Sequence, residues 1–120
     1  MAGGRMRRVE EAVREVLSDA ISKDLKDPRV GFVTVTAVKT SPDLRHARVY
    51  VSVLGDEPAR LATLEGLRSA HGFLQGAIAS ELTLKRTPAL VFEYDDTAAR
   101  AARLTALMEH GPDLDDERDA

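Results

Sequence analysis

Three groups of side chains in this sequence have the chemistry to hold or act on another molecule: the histidines, a pair of adjacent aspartates, and basic residues gathered around one glycine. His46, His71 and His110 lie far apart and form no H-x-x-x-H or H-E-x-x-H, the spacing that puts two ring nitrogens on one helix face, so each reads as an ordinary histidine. Asp95 and Asp96 follow a strand-like run, where one carboxylate caps the next helix and the other stays in water; a magnesium site is the less favoured reading. Neither a G-x-x-x-x-G-K-[ST] nor a G-x-G-x-x-G phosphate loop occurs. The absence of cysteine removes disulfides, thiolate zinc sites and cysteine nucleophiles. Catalysis needs a nucleophile beside a base, carboxylates paired in a cleft or a set of metal ligands. No such set stands out, so the chain reads as non-enzymatic and without a cofactor.

The glycine is the more informative feature. Helical spacing runs through Leu61, Leu64 and Leu67 and resumes at Phe73, Leu74, Ala77, Ile78 and Leu82. At about 100° per residue, one unbroken helix would carry Arg60 and His71 inside its apolar face. A kink at Ala70-His71-Gly72, with the bend assigned to glycine, removes the conflict. A helix restarting there offers N–H groups without intrahelical partners, and a phosphate can approach closely. Arg68 stands before the kink, His71 within it, and Lys85 and Arg86 after the second helix, so positive charge lines both ends of a groove. Such contacts give affinity that falls with salt and do not read sequence. The competing reading is that Gly72 merely bends a core helix and the basic side chains are solvated.

Other elements must position this groove. Val9, Val13, Val16, Leu17, Ala20 and Ile21 predict an amphipathic helix between Met6 and Leu25, with Arg7, Glu11, Arg14 and Ser18 on its solvated face and Arg7 paired to Glu11. Asp27-Pro28-Arg29 breaks it. The β-branched run from Phe32 to Val38 predicts a strand, followed by a turn at Thr40-Ser41-Pro42-Asp43. A second strand alternates, Ala47, Val49, Val51 and Val53 facing one way and His46, Arg48, Tyr50 and Ser52 the other, which makes an antiparallel hairpin with one buried face. After a turn at Gly55-Asp56-Glu57-Pro58 come the two helices. Leu90, Val91, Phe92, Glu93 and Tyr94 alternate as a third strand, and Ala98, Ala101, Leu104 and Met108 give a short last helix. An α+β fold with three strands and helices on one face buries these surfaces in the fewest layers.

At 120 residues the chain suits one domain. With 43% hydrophobic and 31% charged residues, and no apolar run of the roughly 20 residues that cross a bilayer, a membrane span is not expected. Arg5, Arg7 and Arg8 lead into Val9, Glu10 and Glu11 and not into the apolar core of a secretory signal, so the cytoplasm is expected. The net charge of −3 is unevenly distributed. Residues 111–120 hold Asp113, Asp115, Asp116, Glu117 and Asp119 against Arg118 alone, which leaves 16 basic and 15 acidic residues in the remainder. Residues 1–110 therefore read as the folded domain and 111–120 as a disordered acidic tail, a solvating appendage in preference to a self-inhibitor of a basic face.

The order derived above matches a type II KH domain, in which a Gly-x-x-Gly loop between two helices clamps RNA backbone. Here Ala70-His71-Gly72 stands in place of that loop, and in this the chain resembles the ribosome-binding factor A family of small-subunit assembly factors. The resemblance spans Arg5 to Met108. It rests also on Arg8-Val9, on Lys26-Asp27-Pro28-Arg29-Val30 leading into Val33-Thr34-Val35-Thr36, and on Ser41-Pro42-Asp43-Leu44 before Ala47-Arg48-Val49-Tyr50-Val51. The stretch from Arg86-Thr87-Pro88 to Tyr94-Asp95 resembles the family's closing strand. The resemblance implies a cytoplasmic, monomeric protein that binds the free, immature 30S subunit, contacts 16S rRNA, supports processing of its 5′ end and leaves before translation. It implies an RNA face at Arg68, Ala70, His71, Gly72, Lys85 and Arg86, with Arg5, Arg7, Arg8 and Arg14 as further candidates. Asp27, Pro28 and Arg29 match a family signature, for which a role in the corner between helix and strand is at least as good a reading as RNA contact. The alternative is a protein-interaction module with an αββααβ sheet and no direct RNA contact.

Overall fold

The computed structural model describes residues 2–97 and residue 105; the expected last helix through Ala98, Ala101, Leu104 and Met108 and the acidic segment 111–120 lie outside the described residues. The chain forms α1 (Ala2–Asp19), a π-helical turn (Ala20–Asp24), β1 (Val33–Thr40), β2 (His46–Val53), α2 (Glu57–Ser69), α3 (His71–Glu81) and β3 (Ala89–Tyr94). This is an α+β fold in the expected order, consistent with the type II KH arrangement.

β2 is the middle strand of the order β1-β2-β3, antiparallel to β1 and parallel to β3. Its alternation is realised as read: Ala47, Val49, Val51 and Val53 are buried, while His46, Arg48 and Ser52 are exposed and Tyr50 is half-buried. In β1 strict alternation fails, because a bulge at Thr36 sets both Thr36 and Ala37 against a single position of β2. That extra residue reverses the parity of the strand, so that Val38 joins Val33 and Val35 on the inner face and not the outer one. The Thr36 hydroxyl donates to Asp95 Oδ2 at 2.7 Å and lies 3.2 Å from the Tyr50 carbonyl oxygen, stitching the bulge to the end of β3. Phe32 falls before the strand and is 80% exposed, contrary to its expected place within it.

Helices cover the inner face of the sheet. Val13, Leu17, Ala20 and Ile21 of the first helix meet Leu64 and Leu67 of α2, Leu74 and Ile78 of α3, and Phe92 of β3 in one buried cluster. The wide π turn, closed by Leu25 N–H on the Ala20 carbonyl, keeps both Ala20 and Ile21 in that cluster before the chain leaves the helix. On the solvated side Glu11 pairs with Arg14 and not with Arg7. α2 opens with the expected acidic cap, Asp56 accepting from Ala59 N–H at 3.0 Å. Leu61 and Phe73, expected on the apolar stripe, are 61% and 49% exposed; the core instead takes Thr63 and Gly66. Helical period fixes which residues share a face, whereas the sheet decides which face is covered.

Asp27-Pro28-Arg29 makes a corner packed on α2. The Asp27 carboxylate accepts from the Arg29 backbone at 2.9 Å and from its guanidinium at 2.7 Å, and Arg29 reaches Glu65 at 3.0 Å. Buried Thr63 accepts from Gly31 N–H at 3.3 Å. Contact is close enough that a Cβ on Gly66 would lie 2.7 Å from a methyl of Val30. The interhelical kink has a different origin from the one expected. Both helices stop at Ala70 (φ −91°, ψ 11°), while Gly72 lies in the first turn of α3 with helical backbone, and a Cβ there would meet nothing within 4 Å. The break is therefore not glycine strain.

Gly66→Ala should cost about 1–2 kcal/mol, overpacking against Val30 outweighing the gain in helix propensity, whereas Gly72→Ala should be neutral or stabilising by up to about 1 kcal/mol. Thermal unfolding of the two variants checks this; equal behaviour would contradict the packing assigned to Gly66. Hydrogen bonding to Arg29 holds the Asp27 carboxyl below its usual pKa. Its stabilising contribution is thus present above about pH 4 and lost as pH falls through the lowered folded value. The difference in melting temperature between wild type and Asp27→Asn should shrink on acidification below that point.

Candidate nucleic-acid interface

The strand register decides which basic residues meet. Pairing of β3 parallel to β2 sets His46 beside Ala89, and Ala89 N–H donates to the Arg45 carbonyl at 2.9 Å. Lys85 and Arg86, just upstream of β3, therefore arrive at the end of the sheet where β2 begins. Antiparallel pairing brings the end of β1 to the same place, with Lys39 opposite Arg48 and Thr40 opposite Ala47. The first helix adds its N-terminal half, since Glu10 accepts from Thr40 N–H at 2.8 Å. Arg5, Arg7 and Arg8 are exposed in that half. One end of the molecule thus collects cations from four elements.

Lys39, Arg45, His46 and Arg48 are members of this group that the sequence reading did not select. The only signal available was the outward parity of His46 and Arg48 on β2; the proximity of Lys39 and Arg45 depends on pairing. Lys39, Thr40, Ser41, His46, Arg48 and Val91 line an open groove of about 360 Å³ on the uncovered sheet face. Lys39 and Arg48 are like charges directly opposed across strands, an arrangement that destabilises a sheet unless an anion relieves it. Glu93 compensates in part, 2.9 Å from Arg48. Arg45 pairs with Asp43 at 3.4 Å, but among the described residues Lys39, His46, Lys85 and Arg86 have no ion-pair partner. The turn ahead of them is fixed by Ser41 and Asp43, whose side chains bond each other at 2.7 Å while Asp43 accepts from Arg45 N–H at 3.0 Å. These bonds hold Leu44 at φ 59°, a conformation that costs a non-glycine residue about 1–2 kcal/mol.

The kink supplies a second feature beside this end, tied to it by Gln75, which donates to the Pro88 carbonyl at 2.9 Å. The first N–H groups of α3 belong to His71, Gly72 and Phe73, and the missing Gly72 side chain leaves their surroundings open. Phosphate is the natural ligand of such a terminus. His71 Nδ1 lies 3.0 Å from the Arg68 carbonyl, which places the proton on Nδ1 and turns Nε2 outward. Arg68 is less available than its sequence position suggests, because its guanidinium donates to the Phe92 carbonyl at 3.1 Å and braces α2 on β3. Arg14 is likewise engaged, by Glu11. Arg29 is spent on Asp27 and Glu65, which favours the structural reading of that signature. Asp95 accepts from Thr36 and from Thr97 N–H, a structural use, and no group of three or more potential metal ligands occurs among the described residues.

Comparison with known proteins adds family information to this geometry. The sequence model of the family described as "Ribosome-binding factor A" matches residues 5–108. A protein of that name from Halothermothrix orenii is 44% identical over 105 residues, covering 88% of this chain and 86% of its relative. Among solved structures, the solution NMR structure of a Thermotoga maritima protein described as a putative ribosome binding factor A superposes with TM-score 0.68 at 38% identity, covering 74% of this chain and 85% of that one. A homology model of the Thermus thermophilus ribosome binding factor A, fitted into the cryo-EM map of a 30S–RbfA complex, gives 0.63 at 29% identity over 77% of this chain and 97% of that one.

The opposed cations allow stability to be separated from anion binding. Lys39→Glu should leave the melting temperature unchanged or raise stability by roughly a few tenths of a kcal/mol, through attraction to Arg48, and should elute from a heparin column at lower salt. Unaltered elution would remove the outer sheet face from the anion-binding surface.

Proposed function

This chain belongs to the ribosome-binding factor A family, and from that premise we propose that it binds the free 30S small ribosomal subunit during its maturation. In this reading it acts in the cytoplasm as a monomer, without catalysis or cofactor, and lays its basic end along the backbone of 16S rRNA. Support for processing of the 5′ end of that RNA follows from holding the immature region in place. Residues 1–110 are the RNA-binding domain and 111–120 an acidic appendage.

The observation that carries the proposal is the convergence of Lys85 and Arg86 with Lys39, His46 and Arg48 beside the open α3 terminus. Ala70, His71 and Gly72 contribute backbone N–H groups and close approach, and Lys85 and Arg86 contribute phosphate contacts. Arg5, Arg7 and Arg8 extend the surface from α1. Arg68 and Arg14 act mainly by holding α2 and the helix surface in place, consistent with the partners they already have. Phosphate contacts position a protein without reading bases, which suits binding to one folded RNA particle. The fitting of a related protein's model into a 30S complex supports the choice of subunit. No helix among the described residues is long and apolar enough to cross a membrane.

Co-sedimentation with free small subunits, free large subunits and intact ribosomes across a salt series tests this. Binding should be confined to free small subunits and weaken steeply with salt. Lys85→Glu with Arg86→Glu should reduce the slope of log affinity against log salt by about two while leaving the melting temperature intact. Binding that hardly responds to salt, or to this reversal, would favour the alternative of an apolar protein-interaction module.

A further inference from the structure

A second groove lies apart from the basic end. It has a volume of about 710 Å³ and runs between α1 with its π turn and α3, from Ala12 to Asp24 on one side and from Phe73 to Leu82 on the other. Its apolar lining includes Val16 and Phe73, and Phe73 is 49% exposed although its neighbour Leu74 is completely buried. Glu15, Asp19, Asp24 and Glu81 also line it, with no lysine or arginine among the described lining residues. Among the described residues the one ion pair on these four carboxylates joins Asp19 to Lys23 at 3.7 Å, with both side chains 72% exposed. Gly76 lies in the same groove, and a Cβ there would touch nothing within 4 Å, so the packing of the protein itself does not require glycine.

Charge restricts what fits. Four carboxylates repel a phosphate backbone, and they equally repel the chain's own residues 111–120, which carry five acids. The carboxylates form no metal-binding group of three or more among the described residues. An occupant must bring positive charge together with an apolar surface for Phe73, and a channel between two helices accepts a third amphipathic helix. We propose that the groove between α1 and α3 docks a basic amphipathic helix of a partner protein, its apolar side on Phe73 and Val16 and its lysines or arginines beside Glu15, Asp19, Asp24 and Glu81. Gly76 lets the backbone of the incoming helix approach α3. The basic end stays free, so the protein joins an anionic partner and a cationic one at the same time.

The test uses no ribosomal component, so its outcome is independent of the RNA reading. The full-length, isotope-labelled chain is titrated with a synthetic helical peptide carrying lysines on one face and leucines on the other, followed by NMR. Amide shifts should concentrate at Val16, Asp19, Phe73 and Ala77. Gly76→Met puts a side chain into the groove from a position where a Cβ meets nothing within 4 Å, and has better helix propensity, so it should keep or raise thermal stability while weakening Kd roughly tenfold. Glu81→Lys should weaken Kd in the same direction, and a short RNA oligonucleotide should leave these amides unmoved. The proposal is overturned if the peptide shifts amides elsewhere or binds both variants as tightly as wild type. It is overturned equally if RNA enters the groove, or if the same amides shift with protein concentration alone, which would identify a second copy as the occupant.

Discussion

The arrangement of this protein depends on one constraint, the parallel pairing of β3 with β2. Parallel neighbours cannot be joined by a hairpin, so the chain must run back over the sheet before it can pair. Helices α2 and α3 make that return and pack on β3, joining α1 in the one buried cluster that also takes the inward alanine and valines of β2. The same pairing fixes where charge goes. Because the strands run the same way, residues upstream of each collect at one end, and Lys85 and Arg86 come to lie by Arg45 and His46 across some 40 positions of sequence. The hairpin then adds Lys39, and packing of α1 on the end of β1 adds the N-terminal arginines.

A second dependence lies at the corner between the first helix and β1. Gly66 allows the segment carrying Asp27, Arg29 and Val30 to press against α2, and the ion pairs of Arg29 with Asp27 and Glu65 bridge the contact. This segment is one of the most distinctive stretches of the sequence, yet its charges are turned on one another and on α2. A distinctive charged motif in a small domain can thus be a packing device. Pairing its carboxylate with a guanidinium and a backbone N–H is what lets a sharp corner lie flat on a helix.

The net charge of −3 conceals a separation of sign. Cations gather at the end of the sheet where β2 and β3 begin, while the groove between α1 and α3 is lined by carboxylates. α1 serves both, with arginines in its N-terminal half and Glu15 and Asp19 further on. Charges on the two surfaces are separated by folded protein, and screening over roughly 8–10 Å at physiological salt lets each act locally. The sum over the sequence says little about either.

Several features were legible in the sequence because they depend on local repetition. Period-two burial of Ala47, Val49, Val51 and Val53, the acidic cap of α2 and the break between Leu67 and Phe73 are all set within a turn or a strand length. So was the family resemblance, which is a matter of residues in order. Tertiary structure decided the remainder. It placed the break at Ala70 and not at Gly72, turned Leu61 and Phe73 outward, and used a bulge at Thr36 to bring Val38 inside. It also bound Arg68 to the Phe92 carbonyl and put Lys39 opposite Arg48. The physical reason is the same in each case: periodicity specifies which side chains share a face, but the identity of the surface that covers that face is fixed by strand direction and register, which the chain acquires only when distant segments pair.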